Sequence, residues 1–107
     1  MYVEGSPRID SSKVINFTVT PRLREEASLV MWAAANPPPV FLWTHSHHVV
    51  NSTDGTFTSS VDFSSVAVDD FGSYVLTMTN DVGRLDVDYN VVADGNYLIL
   101  FNVSMFQ

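Results

Sequence analysis

The chain of 107 residues contains no cysteine. That excludes a disulfide framework, a thiolate nucleophile and a zinc-thiolate site, so a folded core must be held by packing and hydrogen bonds. It also removes cysteine pairing as a guide to compartment. Basic residues are scarce as well: five Lys and Arg against twelve Asp and Glu give a formal net charge of −7. No basic stripe is present to neutralise a phosphate backbone or an anionic membrane surface, so nucleic acid is not an expected partner. Long hydrophobic runs are missing too. The apolar stretch from Tyr97 to Phe106 is about half the ~20 residues that a helix needs to cross a bilayer, so no membrane insertion is expected and the chain should be soluble. The opening Met1-Tyr-Val-Glu-Gly5 has neither the basic nor the apolar region of a secretory signal. No segment sustains the three-four apolar spacing of an amphipathic helix.

What is present is apolar alternation broken by turn clusters, in a chain of one-domain size. The pattern predicts an all-β fold with strands near 13–20, 28–34, 40–45, 47–50, 57–64, 73–79 and 84–92. Asn51-Ser-Thr-Asp-Gly55 and Asn80-Asp-Val-Gly83 supply turn chemistry between them. Pro37, Pro38 and Pro39 cannot donate ladder hydrogen bonds and must lie in a connection, here a crossover between sheets. The expected division is an N-terminal segment over 1–12, a domain over 13–92 and an apolar tail over 93–107.

Two separated stretches carry a family resemblance. Leu29-Val-Met-Trp-Ala-Ala-Ala-Asn-Pro-Pro-Pro-Val-Phe-Leu-Trp43 resembles the B strand, B-C loop and C strand of I-set immunoglobulin domains, with Met31 where the family has a cysteine. Val61-Asp-Phe-Ser-Ser-Val66 and Asp70-Phe-Gly-Ser-Tyr74 resemble the E strand and the corner before the F strand, with Leu76 at the second cysteine position. The resemblance implies a two-sheet antiparallel Greek-key sandwich of the immunoglobulin type without its inter-sheet disulfide.

Period-two alternation gives the same residues consistent positions. Leu29, Met31 and Ala33 share a face, as do Phe41 and Trp43, and Tyr74, Leu76 and Met78. Trp43 is expected to pack on Met31 and Leu76 where relatives have the disulfide, and the Tyr74 hydroxyl to bond to backbone at the corner. Losing a native disulfide costs about 2–5 kcal/mol, and burying two large apolar side chains contributes about 1.5–3 kcal/mol each, so the exchange is nearly balanced.

Chemistry-bearing residues are present without a convincing constellation. His45-Ser46-His47-His48 is the most metal-like group, since residues two apart on a strand share a face. No third ligand is fixed nearby, and a solvated strand end and turn is the simpler reading. Serines, these histidines and Asp54 or Asp62 supply the residue types of a hydrolase triad, but no nucleophile elbow is present. The aspartates show no calcium-loop spacing, and Asp86 with Asp88 reads as a solvated face. No enzyme activity, metal or cofactor is expected. Sequons for N-glycosylation begin at Asn16, Asn51 and Asn102, a mild excess over chance that favours an extracellular origin.

The outward residues are more informative. Alternation places Val40, Leu42, Val75, Thr77, Asp86 and Asp88 on the outer face of one sheet, an apolar surface with an acidic rim where polar residues are the rule. In the immunoglobulin superfamily this sheet often makes homophilic or receptor contacts, so the resemblance implies a protein-binding face. Trp32 should project from the other sheet, either as a second contact or as a residue covered by the apolar tail. The tail itself is uncharged and β-prone, suited to edge pairing or strand exchange between copies. The expectation is an extracellular recognition or adhesion module that binds a protein, itself included among the candidates. The alternative is a structural spacer in an intracellular array of the muscle type.

Overall fold

A computed structural model describes residues 4–94 of the chain. Nine strands follow in order: β1 Arg8–Ile9, β2 Thr18–Val19, β3 Ala27–Ala34, β4 Val40–His45, β5 His48–Val50, β6 Thr53–Asp54, β7 Thr58–Phe63, β8 Gly72–Thr79 and β9 Arg84–Val91. One 3-10 turn, Val68–Asp70, precedes β8. The strands form two sheets, β1-β3-β7-β6 and β2-β9-β8-β4-β5, stacked as a sandwich. Asn102 and the run from Tyr97 to Phe106 lie outside the described residues.

The five long strands agree with the alternation to within a residue or two. Three short elements differ. The strand expected over 13–20 is reduced to β2, and β1 forms earlier, at Arg8↔Ala34 and Ile9↔Ala33, within the segment read as preceding the domain. β6 forms inside the stretch read purely as a turn, pairing Thr53↔Ser60 and Asp54↔Ser59. One pairing departs from the antiparallel rule: β2 runs parallel to β9, with Thr18↔Asn90 and Val19↔Val91. Elements of two residues carry too little alternation to be read from sequence.

The inward faces meet as expected. Leu29, Met31, Trp43, Leu76 and Met78 are buried in one cluster, to which Tyr74, Val87, Tyr89 and Val91 also belong. Met31 comes from one sheet and Leu76 from the other, and Leu76 lies beside Trp43 in the register. Two hydrogen bonds cross from sheet to sheet through this core. Trp43 Nε1 donates to Ser59 Oγ at 2.7 Å, and Tyr89 Oη donates to the Val30 carbonyl at 2.8 Å. Ser59 in turn donates to Asp54 Oδ1 at 2.5 Å. Among the described residues no buried side-chain nitrogen or oxygen lacks a partner.

The corner before β8 forms as the spacing predicts. Tyr74 Oη donates to the Asp70 carbonyl at 2.7 Å. Gly72 stands at φ +125, a conformation that side chains disfavour. At the opposite end of the sandwich, Asn80 Nδ2 donates to the Gly5 and Pro37 carbonyls at 2.8 Å each, tying the β8–β9 turn to the N-terminal segment and the proline loop.

Burial pushes the Tyr74 phenol up to about 12, with the Asp70 charge adding to the rise, and burial raises Tyr89 as well. The folded state therefore prefers both phenols protonated, whereas tyrosines in the unfolded chain ionise near pH ~10. The stability this preference supplies is complete below pH ~10 and is lost as pH climbs through the folded values. Urea midpoints should hold steady to about pH 10 and then fall toward pH 12. Tyr74→Phe should start lower, for want of its hydrogen bond, and decline less over that range. An equally steep decline in Tyr74→Phe and Tyr89→Phe would rule out these phenols as the cause.

Candidate functional site: the outer face of the five-stranded sheet

The register builds this face row by row. Asp88, Val75, Thr44 and Val49 lie across β9, β8, β4 and β5; Asp86, Thr77 and Leu42 form the next row; Arg84, Thr79 and Val40 form the third. Alternation forces these residues outward, because their neighbours Phe41, Trp43, Tyr74, Leu76, Val87 and Tyr89 fill the core. Val40 is 71% exposed, Leu42 44% and Val49 70%. Val75, on β8 and across β4 from Val49, is half-buried.

Six sequence-nominated residues therefore share one face: Val40, Leu42, Val75, Thr77, Asp86 and Asp88. Val49 belongs to the same surface and was missed. Its strand is three residues long, too short for alternation to assign a direction, although pairing of Thr44 with Val49 around the tight turn would have done so.

The rim is less acidic than its composition suggests. Arg84 Nε and Nη2 donate to the two oxygens of Asp86, both at 3.1 Å, and Thr77 Oγ1 donates to Asp86 Oδ1 at 2.9 Å. These donors, Arg84 first, hold the Asp86 carboxyl below its ordinary range. Thr77 and Asp86 thus form a charge-balanced polar border with Arg84, while Asp88 carries its charge at the next row.

Trp32 falls on the other sheet, as expected. It is 40% exposed, with Lys13 Nζ 4.7 Å from its ring centroid. Asn16 and Asn51 are exposed. Met31, Trp43, Tyr74 and Leu76 are buried together in the core.

The histidines do not converge. Ser46 and His47 both have positive φ, 51 and 66, which closes a two-residue hairpin between β4 and β5. The His45 ring turns away from His47 and stacks on Tyr74, with centroids 4.0 Å apart and planes 7° from parallel. Its nitrogens lie 2.9 Å from the Ser73 and Asp69 carbonyl oxygens, so His45 belongs to the corner and is not the free strand end that its polarity suggested. Among the described residues no group of three or more His, Cys, Asp or Glu is placed to hold a metal ion.

With this geometry in hand, comparison with solved structures defines the fold as immunoglobulin-like. A tandem pair of titin Ig domains superposes with a TM-score of 0.76 at 13% identity over 85% of this chain and 50% of that one. Dpr2 in complex with DIP-Theta gives 0.70 at 18% identity over 83% of this chain and 32% of that one. A titin Ig domain in complex with an obscurin-like Ig domain gives 0.71 at 18% identity over 83% and 94%. The chain thus spans half the length of the first of these and about a third of the second. No protein-family model matches the sequence, and no curated protein matches it.

The Arg84–Asp86 pair is directly measurable. In Arg84→Ala the Asp86 carboxyl should titrate nearer the ordinary aspartate range, read by side-chain carboxyl NMR. Because the Asp86 carboxyl is held below its ordinary range, what the pair contributes is present above that range and is lost as pH falls through the lowered value. An unchanged Asp86 titration would show that Arg84 is not what holds it down.

Proposed function

We propose that this domain is an extracellular recognition module that binds a protein partner through the outer face of the five-stranded sheet, without catalysis and without a cofactor. The supporting observation is the exposure of Val40, Leu42 and Val49, with half-buried Val75, on the outer face of one sheet. Exposed apolar residues scattered singly are ordinary, but a cluster rimmed by a balanced polar border is the anatomy of a contact surface. The similar structures lend support of the same kind. Dpr2 is seen in complex with DIP-Theta, and a titin Ig domain in complex with an obscurin-like one, so sandwiches of this shape serve as protein-binding units.

An extracellular setting draws on the exposed sequons at Asn16 and Asn51. The second reading, a spacer in an intracellular array, draws on a core that is complete without cysteine and needs no oxidising compartment to form. A spacer makes no demand for an apolar outer face, and for that reason we favour recognition.

A second copy of the chain is the first partner to test. Sedimentation equilibrium should show reversible association of the parent at micromolar concentrations, abolished by Leu42→Glu while the unfolding midpoint changes little. A monomer throughout that range removes the homophilic form and moves the search to a different protein. In that case photo-crosslinking from position 42 in the native environment should give adducts that position 60, on the other sheet, does not. Identical adducts from both positions would sink the proposed face.

A further inference from the structure

The outer face of the four-stranded sheet has its own exposed aromatic, and the binding surface described above does not use it. Trp32 on β3 keeps 40% of its surface open even with Lys13 over the ring. Beside it lies a recess of about 360 Å³ lined by Val14, Ile15, Asn16, Ser28, Val30 and Trp32. Asn16 is exposed and opens the sequon Asn16-Phe17-Thr18. A modification acceptor and an exposed indole therefore line the same recess, a coincidence that the sequence, with fifteen residues between them, does not reveal.

We propose that Asn16 is an N-glycosylation site whose first sugars lie in this recess against Trp32 and Val30, so that carbohydrate covers this face. The inference rests on the extracellular reading above. A pyranose ring presents a face of C–H groups that suits the electron-rich face of an indole, while its hydroxyls stay in water or reach polar neighbours such as Ser28. Tethering at a residue of the recess itself makes the contact intramolecular, so a weak interaction suffices to populate it. Asn51 does not line this recess and provides an internal control. The covalent step belongs to a host oligosaccharyl transferase with a lipid pyrophosphate-linked oligosaccharide as donor. The Asn16 amide nitrogen bonds to the anomeric carbon as the C–O bond to pyrophosphate breaks, and the amide loses one proton to the enzyme's base. A glycan here leaves the Val40–Leu42 surface open, since that surface belongs to the other sheet.

The test is secretion of the full chain from a eukaryotic host behind an added signal, as parent, Asn16→Gln, Asn51→Gln, Trp32→Ala and Trp32→Ala/Asn16→Gln. Site occupancy is read by glycopeptide mass spectrometry and stability by thermal unfolding. Asn16 should be occupied, and the parent should unfold about 2 °C or more above Asn16→Gln, the shift expected of one aromatic contact in a domain of this size. That difference should vanish when Trp32 is alanine, and Asn51→Gln should leave the midpoint unchanged. Nuclear Overhauser contacts between the Trp32 indole and the N-acetyl methyl of the first sugar report the contact without relying on a variant. A bare Asn16 beside an occupied Asn51 overturns the inference and spares the extracellular reading. Occupancy at Asn16 with the same increment in the Trp32→Ala background, or without Overhauser contacts, overturns the packing. Absence of sugar at both sites removes the inference and the extracellular reading together.

Discussion

An indole placed between two sheets brings one N–H that must find an acceptor, and in this domain the placement of Trp43 organises much of what surrounds it. Trp43 is fully buried, and its N–H crosses to Ser59, the one buried polar residue among those described. The Ser59 hydroxyl donates a hydrogen bond in turn to Asp54, which sits on the short edge strand β6 and also accepts from Ser52. Leaving such a donor unsatisfied costs about 1–3 kcal/mol, comparable to what a disulfide contributes in small domains. Tyr89 packs on the same indole at 4.9 Å between centroids and makes the second crossing bond, to Val30. Met31 and Leu76 fill the space where a disulfide stands in the resembling family, so packing and two directed hydrogen bonds together join the sheets.

The outer surface follows from that core. Along a strand the choice of inward residue fixes the outward one, and a one-residue slip would exchange the two sets. Burying Phe41 and Trp43 exposes Val40 and Leu42; burying Tyr74 and Leu76 turns Val75 and Thr77 outward. The core thus determines where these positions point without requiring them to be apolar. The two outer faces also differ in kind. One is an open aliphatic patch bordered by the Arg84–Asp86 pair, and the other centres on a single indole beside the Asn16 side chain.

The long strands were legible because six to eight residues of alternation leave one consistent facing, and the corner was legible because a glycine, a tyrosine and an aspartate must hold fixed offsets. Residues whose role depends on a partner far away in the chain were not. Ser59 reads as one serine among many until the indole of Trp43 arrives opposite it, and Tyr89 reads as one more inward residue until its hydroxyl meets Val30. β1 and β6, of two residues each, show no periodicity. β2 covers only two of the residues expected over 13–20, and its parallel pairing with β9 is a matter of topology, which local pattern does not encode. His45 was read by polarity alone, and its stacking on Tyr74 depends on the tight turn at Ser46 and His47, whose positive φ values are unusual for residues other than glycine. Of the candidate face, six members were legible by alternation, whereas Val49 and Arg84, which pairs with Asp86, were not singled out.

Hydrogen exchange of the two indole N–H groups tests the central claim most directly, because the protein has two tryptophans and the account gives them opposite situations. Trp43 Nε1–H, held by Ser59 inside the core, should exchange only through global unfolding and share its free energy with the slowest backbone amides of β3 and β8. Trp32 Nε1–H, on an exposed ring, should exchange many orders of magnitude faster. If Trp43 instead exchanges through local opening at a rate near that of Trp32, its bond to Ser59 is not what joins the sheets, and the account of a cysteine-free core built around that bond fails.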